Sequence, residues 1–216
     1  PLCTYCRSHF PVRDTPLWLS KWYCIGFRPY GAMHILKLPP AEQAMKNGVD
    51  LVILDMDGTI VKYEQSTFHS SWDAIGYAAG LQEEWDKLTE FYYPKAKDPE
   101  MYRQWFDKNC EMLKGKDITA IAEKIFPPPI TAGYEEFCTH LQQQGKVVGI
   151  VSGGVDLVGN YLQRSGSLAF VVCNILHVEE GRFTGTGEMV SNHTGKGELV
   201  RKVCADYGIS SRRAAY

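Results

Sequence analysis

An α/β fold is predicted: a Rossmann-like doubly wound parallel sheet with a helical cap inserted after the first strand. Three observations predict it. Short apolar runs bounded by turn residues stand at Val49 to Leu54, Lys146 to Val151 and Leu168 to Cys173, each suited to a buried parallel strand. Segments of helical period separate them, and strands alternating with amphipathic helices build such a sheet. Between the first and second runs lies a long stretch with helical stripes only.

In chain order, residues 1–47 come first as a tail of unknown role, rich in Pro, Trp and Tyr without a sustained period and closed by Pro39-Pro40. They hold six Lys/Arg against two Asp/Glu, whereas the remainder holds 17 against 23, so the two parts differ in kind. The chain begins at Pro1, which suggests a fragment or an over-extended reading frame, with Met33 and Met45 as alternative starts. The core is expected over 48–60 and 128–216, and the cap over 61–127. Three apolar stripes mark cap helices: Trp72, Ile75 and Ala79; Trp85, Leu88 and Tyr92; Ile118, Ile121, Ala122 and Ile125. The cap closes at Pro127-Pro128-Pro129. Tyr134, Phe137, Cys138 and Leu141 recur at helical spacing, a helix is expected from Val155 to Arg164, and another carries Leu199, Val200, Val203, Cys204 and Tyr207. A hairpin is expected over Ile175 to Thr186, turning at Glu180-Gly181.

Composition narrows the function classes. With 216 residues, 44% hydrophobic and 22% charged, the chain can bury a core and is neither disordered nor collagen-like. A net charge of -2 supplies no global basic field, so neither nucleic acid nor an anionic membrane is an expected partner. No apolar stretch approaches the ~18 residues of a membrane span, and the start lacks a signal-peptide pattern, so a cytoplasmic protein is expected. Seven cysteines, odd in number and scattered, read as reduced thiols. Cys3 and Cys6 form one C-x-x-C, but His9, Cys24 and His34 follow at irregular spacing and do not complete a four-ligand zinc pattern.

Three elements carry chemistry. Asp55-Met56-Asp57-Gly58-Thr59 follows the first strand at once, which puts both carboxylates at its C-terminal end, where open α/β sheets bind ligands. Strand alternation places Asp55 and Asp57 on one side, and two neighbouring carboxylates are costly without a cation. Oxygen-only ligands favour Mg²⁺, with Asp55 and Asp57 as the candidate metal ligands. Val151-Ser152-Gly153-Gly154 ends the second strand before the expected helix at Val155, offering a hydroxyl and backbone N–H groups to an anion. It is no nucleophile elbow, since Ile150 stands where G-x-S-x-G requires Gly. Thr194-Gly195-Lys196-Gly197 opens the last helix and brings an ammonium to a bound phosphate, without the pattern of a Walker A loop.

These residues resemble the haloacid dehalogenase superfamily of phosphohydrolases, in its phosphoserine-phosphatase-like branch, from about Val49 to Tyr216. The D-x-D-G-T resembles that family's first motif, Ser152 with Gly153 and Gly154 the second, and Lys196 the third. Gaps of 97 residues from Asp55 to Ser152 and 44 from Ser152 to Lys196 suit a cap of this size. The resemblance implies that Asp55 is the nucleophile and Asp57 the general acid and base. It implies that Ser152, Gly153 and Lys196 hold the phosphate of a small phosphorylated metabolite, and that Mg²⁺ is the cofactor. Glu64 fits the position of a Glu that holds the amino acid in phosphoserine phosphatases, whereas the position of their cap Arg falls at Asn109, with Arg103 one and a half turns earlier. The family's fourth motif, Gly-Asp and a further Asp, is expected beyond Ala214-Ala215-Tyr216. The chain as written is therefore expected to bind Mg²⁺ weakly, to be inactive and to aggregate. Beside a Mg²⁺-dependent phosphomonoester hydrolase stand two other readings: an inactive phosphate-binding or scaffold fragment, and a phosphotransferase using the same aspartyl phosphate.

Overall fold

A computed structural model describes residues 48–63, 69–166, 168–192 and 194–216. The tail with its C-x-x-C, and Glu64, lie outside the described residues. The first strand, β1 (Leu51–Leu54), buries Leu51 and Ile53, as alternation requires. A tight turn follows, in which Ile60 and Val61 donate to the Met56 carbonyl at 2.9 and 3.0 Å. The chain then leaves for the helical insertion and returns alongside itself: Lys62 N–H donates to the Pro129 carbonyl at 2.9 Å and Thr131 N–H to that of Ile60 at 2.7 Å.

The described residues of the insertion form four α-helices: α1 (Ser71–Ala78), α2 (Gln82–Tyr92), α3 (Pro99–Leu113) and α4 (Ile118–Ile125). Side chains of Ser70, Asp98 and Asp117 cap α1, α3 and α4 by accepting N–H groups of the first turn. The apolar stripes predicted α1, α2 and α4. They missed α3, the longest at 15 residues, because its buried face of Tyr102, Phe106, Asn109, Cys110 and Leu113 is interrupted by a polar side chain.

After α5 (Tyr134–Gln143) come β2 (Val147–Val155), α6 (Asp156–Gly166), β3 (Phe170–Glu179), β4 (Arg182–Glu188), α7 (Lys196–Asp206) and β5 (Ala214–Ala215). The five strands are ordered β4-β3-β2-β1-β5, parallel except for β4. Helices cover both faces. Val203 and Cys204 of α7 pack on Leu51, Ile53, Val151, Phe170 and Val172, while on the other face Gly159 of α6 approaches Val171 and Cys173 so closely that a Cβ would lie 2.8 Å from the former. The predicted doubly wound α/β class is the observed one.

The boundaries differ in two instructive places. β2 runs on through Ser152, Gly153 and Gly154 to Val155, and β3 continues into the hairpin as one strand of 10 residues. Apolar runs mark where side chains are greasy, not where the backbone stops being extended. The hairpin does turn at Glu180-Gly181, both with positive φ (48° and 77°), the left-handed pair a two-residue turn needs.

Main-chain bonds also lace the insertion to this hairpin. Gly115 N–H donates to the Phe183 carbonyl at 2.8 Å, Phe183 N–H to that of Lys116 at 3.1 Å, and Ile118 N–H to that of Gly181 at 2.9 Å. Cys110, Cys138, Cys173 and Cys204 are buried free thiols, and among the described residues no helix is long and apolar enough to cross a membrane.

Candidate active site

The ends of β1 and β2 and the start of α7 bring the predicted residues together. Asp55 is the first residue beyond β1. One of its oxygens, Oδ1, accepts from Met56 N–H at 2.9 Å, and the other, Oδ2, lies 2.7 Å from Lys196 Nζ, 141 residues away in sequence. Lys196 opens α7, positioned by Asn192, whose Oδ1 accepts from Thr194 N–H at 3.0 Å and Gly195 N–H at 2.6 Å. Desolvation acts to lower the Lys196 pKa, but its hydrogen bonds to Asp55 and Tyr216 outweigh it and hold the ammonium above the usual lysine range.

Asp57 is gripped by the first residue of α1. Ser71 N–H donates to its Oδ1 at 3.0 Å and Ser71 Oγ to its Oδ2 at 2.8 Å, while the same hydroxyl oxygen accepts from Val155 N–H at 3.2 Å. Desolvation pushes the Asp57 carboxyl up to about 6 from its ordinary 3.8, against the pull of the two Ser71 bonds and aided by the charge of Asp55. A carboxyl so placed carries its proton near neutrality far more often than an exposed Asp. Gly154 is what admits this packing: a Cβ there would meet Met56 Cε at 2.2 Å, Ser71 Oγ at 2.6 Å and Asp57 Oδ2 at 2.7 Å.

Ser152 is buried near the end of β2, its Oγ accepting from Gly154 N–H at 3.2 Å. The Gly153 carbonyl accepts from Trp72 Nε1 of α1 at 3.0 Å and from Asn174 Nδ2 of β3 at 2.8 Å. The helix expected from Val155 begins one residue later, at Asp156, whose carboxylate stands in its first turn. Asp156 Oδ1 accepts from Leu176 N–H at 3.1 Å.

Desolvation raises the Asp156 carboxyl from 3.8 to about 7. The folded state thus holds this proton more tightly than the unfolded chain, so the associated stability is complete below about pH 4 and fades as pH climbs through 7. Asp156→Asn should flatten that slope and leave the variant more stable than the parent at pH 8, by on the order of 2 kcal/mol. Urea unfolding at pH 5 and pH 8 reads this directly, and parallel slopes for the two proteins would contradict it.

Of the remaining expected residues, Arg103 sits on the surface of α3, 3.9 Å from Asp107 and over the Phe106 ring. Asn109 is buried, with its Oδ1 lacking a hydrogen-bond partner. Sequence reasoning missed Ser71 and Asn174 as site residues and took Trp72 for core alone. Only Ser71 carried a local signal, as the residue after a Ser-x-x-Asp helix start. Among the described residues no three His, Cys, Asp or Glu side chains converge as a metal cluster, so the side-chain donors available near Lys196 are the Asp55 and Asp57 carboxylates.

Comparison with known proteins adds a lineage to this geometry. Residues 52–215 match the family described as haloacid dehalogenase-like hydrolase. Phosphoserine phosphatase of Methanocaldococcus jannaschii is 30% identical over 169 residues, which cover 77% of this chain and 75% of that protein. Phosphoserine phosphatase of Archaeoglobus fulgidus is 28% identical over 163 residues, but the match spans only 44% of its length. A substrate-bound phosphoserine phosphatase complex superposes with a TM-score of 0.64 at 29% identity, covering 78% of this chain and 77% of the other. A phospho-aspartyl intermediate analogue of phosphoserine phosphatase gives 0.63, also at 29% identity and with the same coverage.

Proposed function

Since the chain belongs to the haloacid dehalogenase-like hydrolases, in their phosphoserine-phosphatase-like branch, we propose that it hydrolyses a small phosphomonoester through an aspartyl phosphate on Asp55. The observation that carries this reading is the contact of Lys196 Nζ with Asp55 Oδ2 at 2.7 Å. Asp55 Oδ2 attacks phosphorus and the bond to the leaving oxygen breaks, with Lys196 beside the atoms where phosphoryl charge gathers. Ser152 and the Gly153 region meet the other phosphoryl oxygens. Asp57 gives its proton to the departing alkoxide and then takes one from the water that opens the acyl phosphate. Ser71 fixes the aim of Asp57 by bonding both its oxygens.

The donor set fits Mg²⁺. Its side-chain donors are hard carboxylate oxygens, and the mutual repulsion of Asp55 and Asp57, part of what raises Asp57, is relieved by a divalent cation. Asp55 and Asp57 would hold the ion, which when bound neutralises charge on the transferring group. The four-helix insertion acts as the cap that keeps bulk water from the site and selects the leaving group. A cytoplasmic setting accords with the scattered thiols.

The substrate reading is phosphoserine or a similar small phosphorylated metabolite, with Glu64 taking an amino group. A panel of phosphoserine, phosphoglycolate and sugar phosphates, assayed with and without Mg²⁺, tests it. In the full-length protein, Mg²⁺-dependent turnover with phosphoserine preferred is the expected result, with Glu64→Gln erasing the preference over phosphoglycolate. Sugar phosphates ranking first would overturn the amino-acid substrate and keep the phosphatase; no turnover of any member would overturn both.

A further inference from the structure

We propose that Asn174, which touches neither catalytic carboxylate, is the positioning residue that aims the Ser152 hydroxyl at the phosphoryl group and fixes Ser152 relative to Lys196. The inference rests on the phosphatase reading and adds to it a residue from β3.

The argument starts from valence. Asn174 is fully buried at 0% exposure, and each face of its amide is engaged. Its Oδ1 accepts from Val190 N–H at 2.8 Å and Ser191 N–H at 2.9 Å, and its Nδ2 donates to the Gly153 carbonyl at 2.8 Å. It also hydrogen-bonds the Tyr102 hydroxyl of α3. Two backbone donors demand an oxygen at one end and a carbonyl demands a nitrogen at the other, so the amide can stand only one way round.

That orientation propagates through a rigid unit. The Gly153 carbonyl and the Gly154 N–H belong to one planar peptide, so anchoring the first fixes the direction of the second. Gly154 N–H donates to Ser152 Oγ at 3.2 Å. A hydroxyl that accepts from the strand backbone has its own proton free to point elsewhere, and a phosphoryl oxygen is the acceptor this site would offer. Trp72 Nε1 supports the same carbonyl from α1 at 3.0 Å, so the peptide is held from the core and from the insertion together. At its other end the Asn174 amide secures Val190 and Ser191, which lead into the Asn192 turn that sets Lys196 at the head of α7. One side chain thus spans the two strand-end segments that supply the hydroxyl and the ammonium.

Orthovanadate binding in the presence of Mg²⁺, measured by calorimetry on the full-length protein, tests the proposal, with Lys196→Ala as the reference for a lost phosphate ligand. Asn174→Ala should weaken vanadate at least about tenfold, and Trp72→Phe, which removes the second donor to Gly153 while keeping an aromatic ring against Trp85 and Phe106, about threefold. Each variant is measured well below its own melting temperature, so that a purely structural role would leave the affinity of the folded protein unchanged. Loss of kcat/KM should also be uniform across alkyl and aryl phosphates, because the network acts on the phosphoryl group and not on the leaving group. Folded Asn174→Ala that binds vanadate within twofold of the parent would overturn the proposal. If Asn174→Ala does not fold, unchanged affinity in Trp72→Phe overturns it instead. A parent protein that turns over phosphomonoesters while Asn174→Ala loses only thermal stability rejects Asn174 alone; a parent that neither binds vanadate nor hydrolyses any ester rejects the phosphatase reading and this inference with it.

Discussion

In the full-length protein, Asp55→Asn is expected to lower kcat on every phosphomonoester at least about a thousand-fold, the scale on which loss of a nucleophile acts. The amide oxygen can still accept from Met56 N–H, and the side chain is one-third exposed, so the fold should survive. What disappears is the negative oxygen that bonds to phosphorus and its ion pair with Lys196. The measurement has two parts: initial rates, and acid-quenched protein after exposure to a ³²P-labelled substrate. Parent protein should carry alkali-labile label and the variant none. Turnover above a few per cent in the variant, or label retained on it, would remove Asp55 from the nucleophile's role.

Asp57→Asn should cost about a hundred- to ten-thousand-fold on alkyl phosphates, the range of a lost general acid, and much less on p-nitrophenyl phosphate, whose leaving oxygen needs little help from a proton. The asymmetry follows from the chemistry of the bond being broken. Local structure offers no objection to the variant: Ser71 N–H can still donate to the amide oxygen, and the Ser71 hydroxyl can rotate to accept from the amide nitrogen. Equal losses on the two classes of substrate would show that Asp57 serves only to hold the site together.

The parts of this protein that could be read from its residues are those governed by local pattern. Leu51 and Ile53 alternate with half-buried neighbours, the D-x-D follows them directly, and Glu180-Gly181 announces its turn. What escaped reading depends on partners far away in the chain. Ser71 meets Asp57 across 14 residues and Val155 across 84, and Asn174 meets Gly153 across 21; no window of neighbouring residues contains such a pair. Ser152 and Gly154 are buried strand residues, yet neither is apolar, so the hydrophobic run ends at Val151 while the strand does not. Asn109 breaks the stripe of α3 in the same manner. The polar residues that shape the site are the ones that interrupt the periodicities from which a fold is inferred.

The lacing of residues 115–118 along β4 has a consequence for how these molecules meet one another. Among the described residues β4 is the outermost strand on its side, and an outermost strand ordinarily presents a row of unsatisfied ladder groups that a second molecule can extend. Here the carbonyls of Gly181 and Phe183 and the Phe183 N–H are already occupied by Ile118, Gly115 and Lys116. The insertion therefore does for this margin what a further strand would do: it removes the template for intermolecular β-sheet growth over the turn-proximal half of β4 and protects the molecule from self-association there.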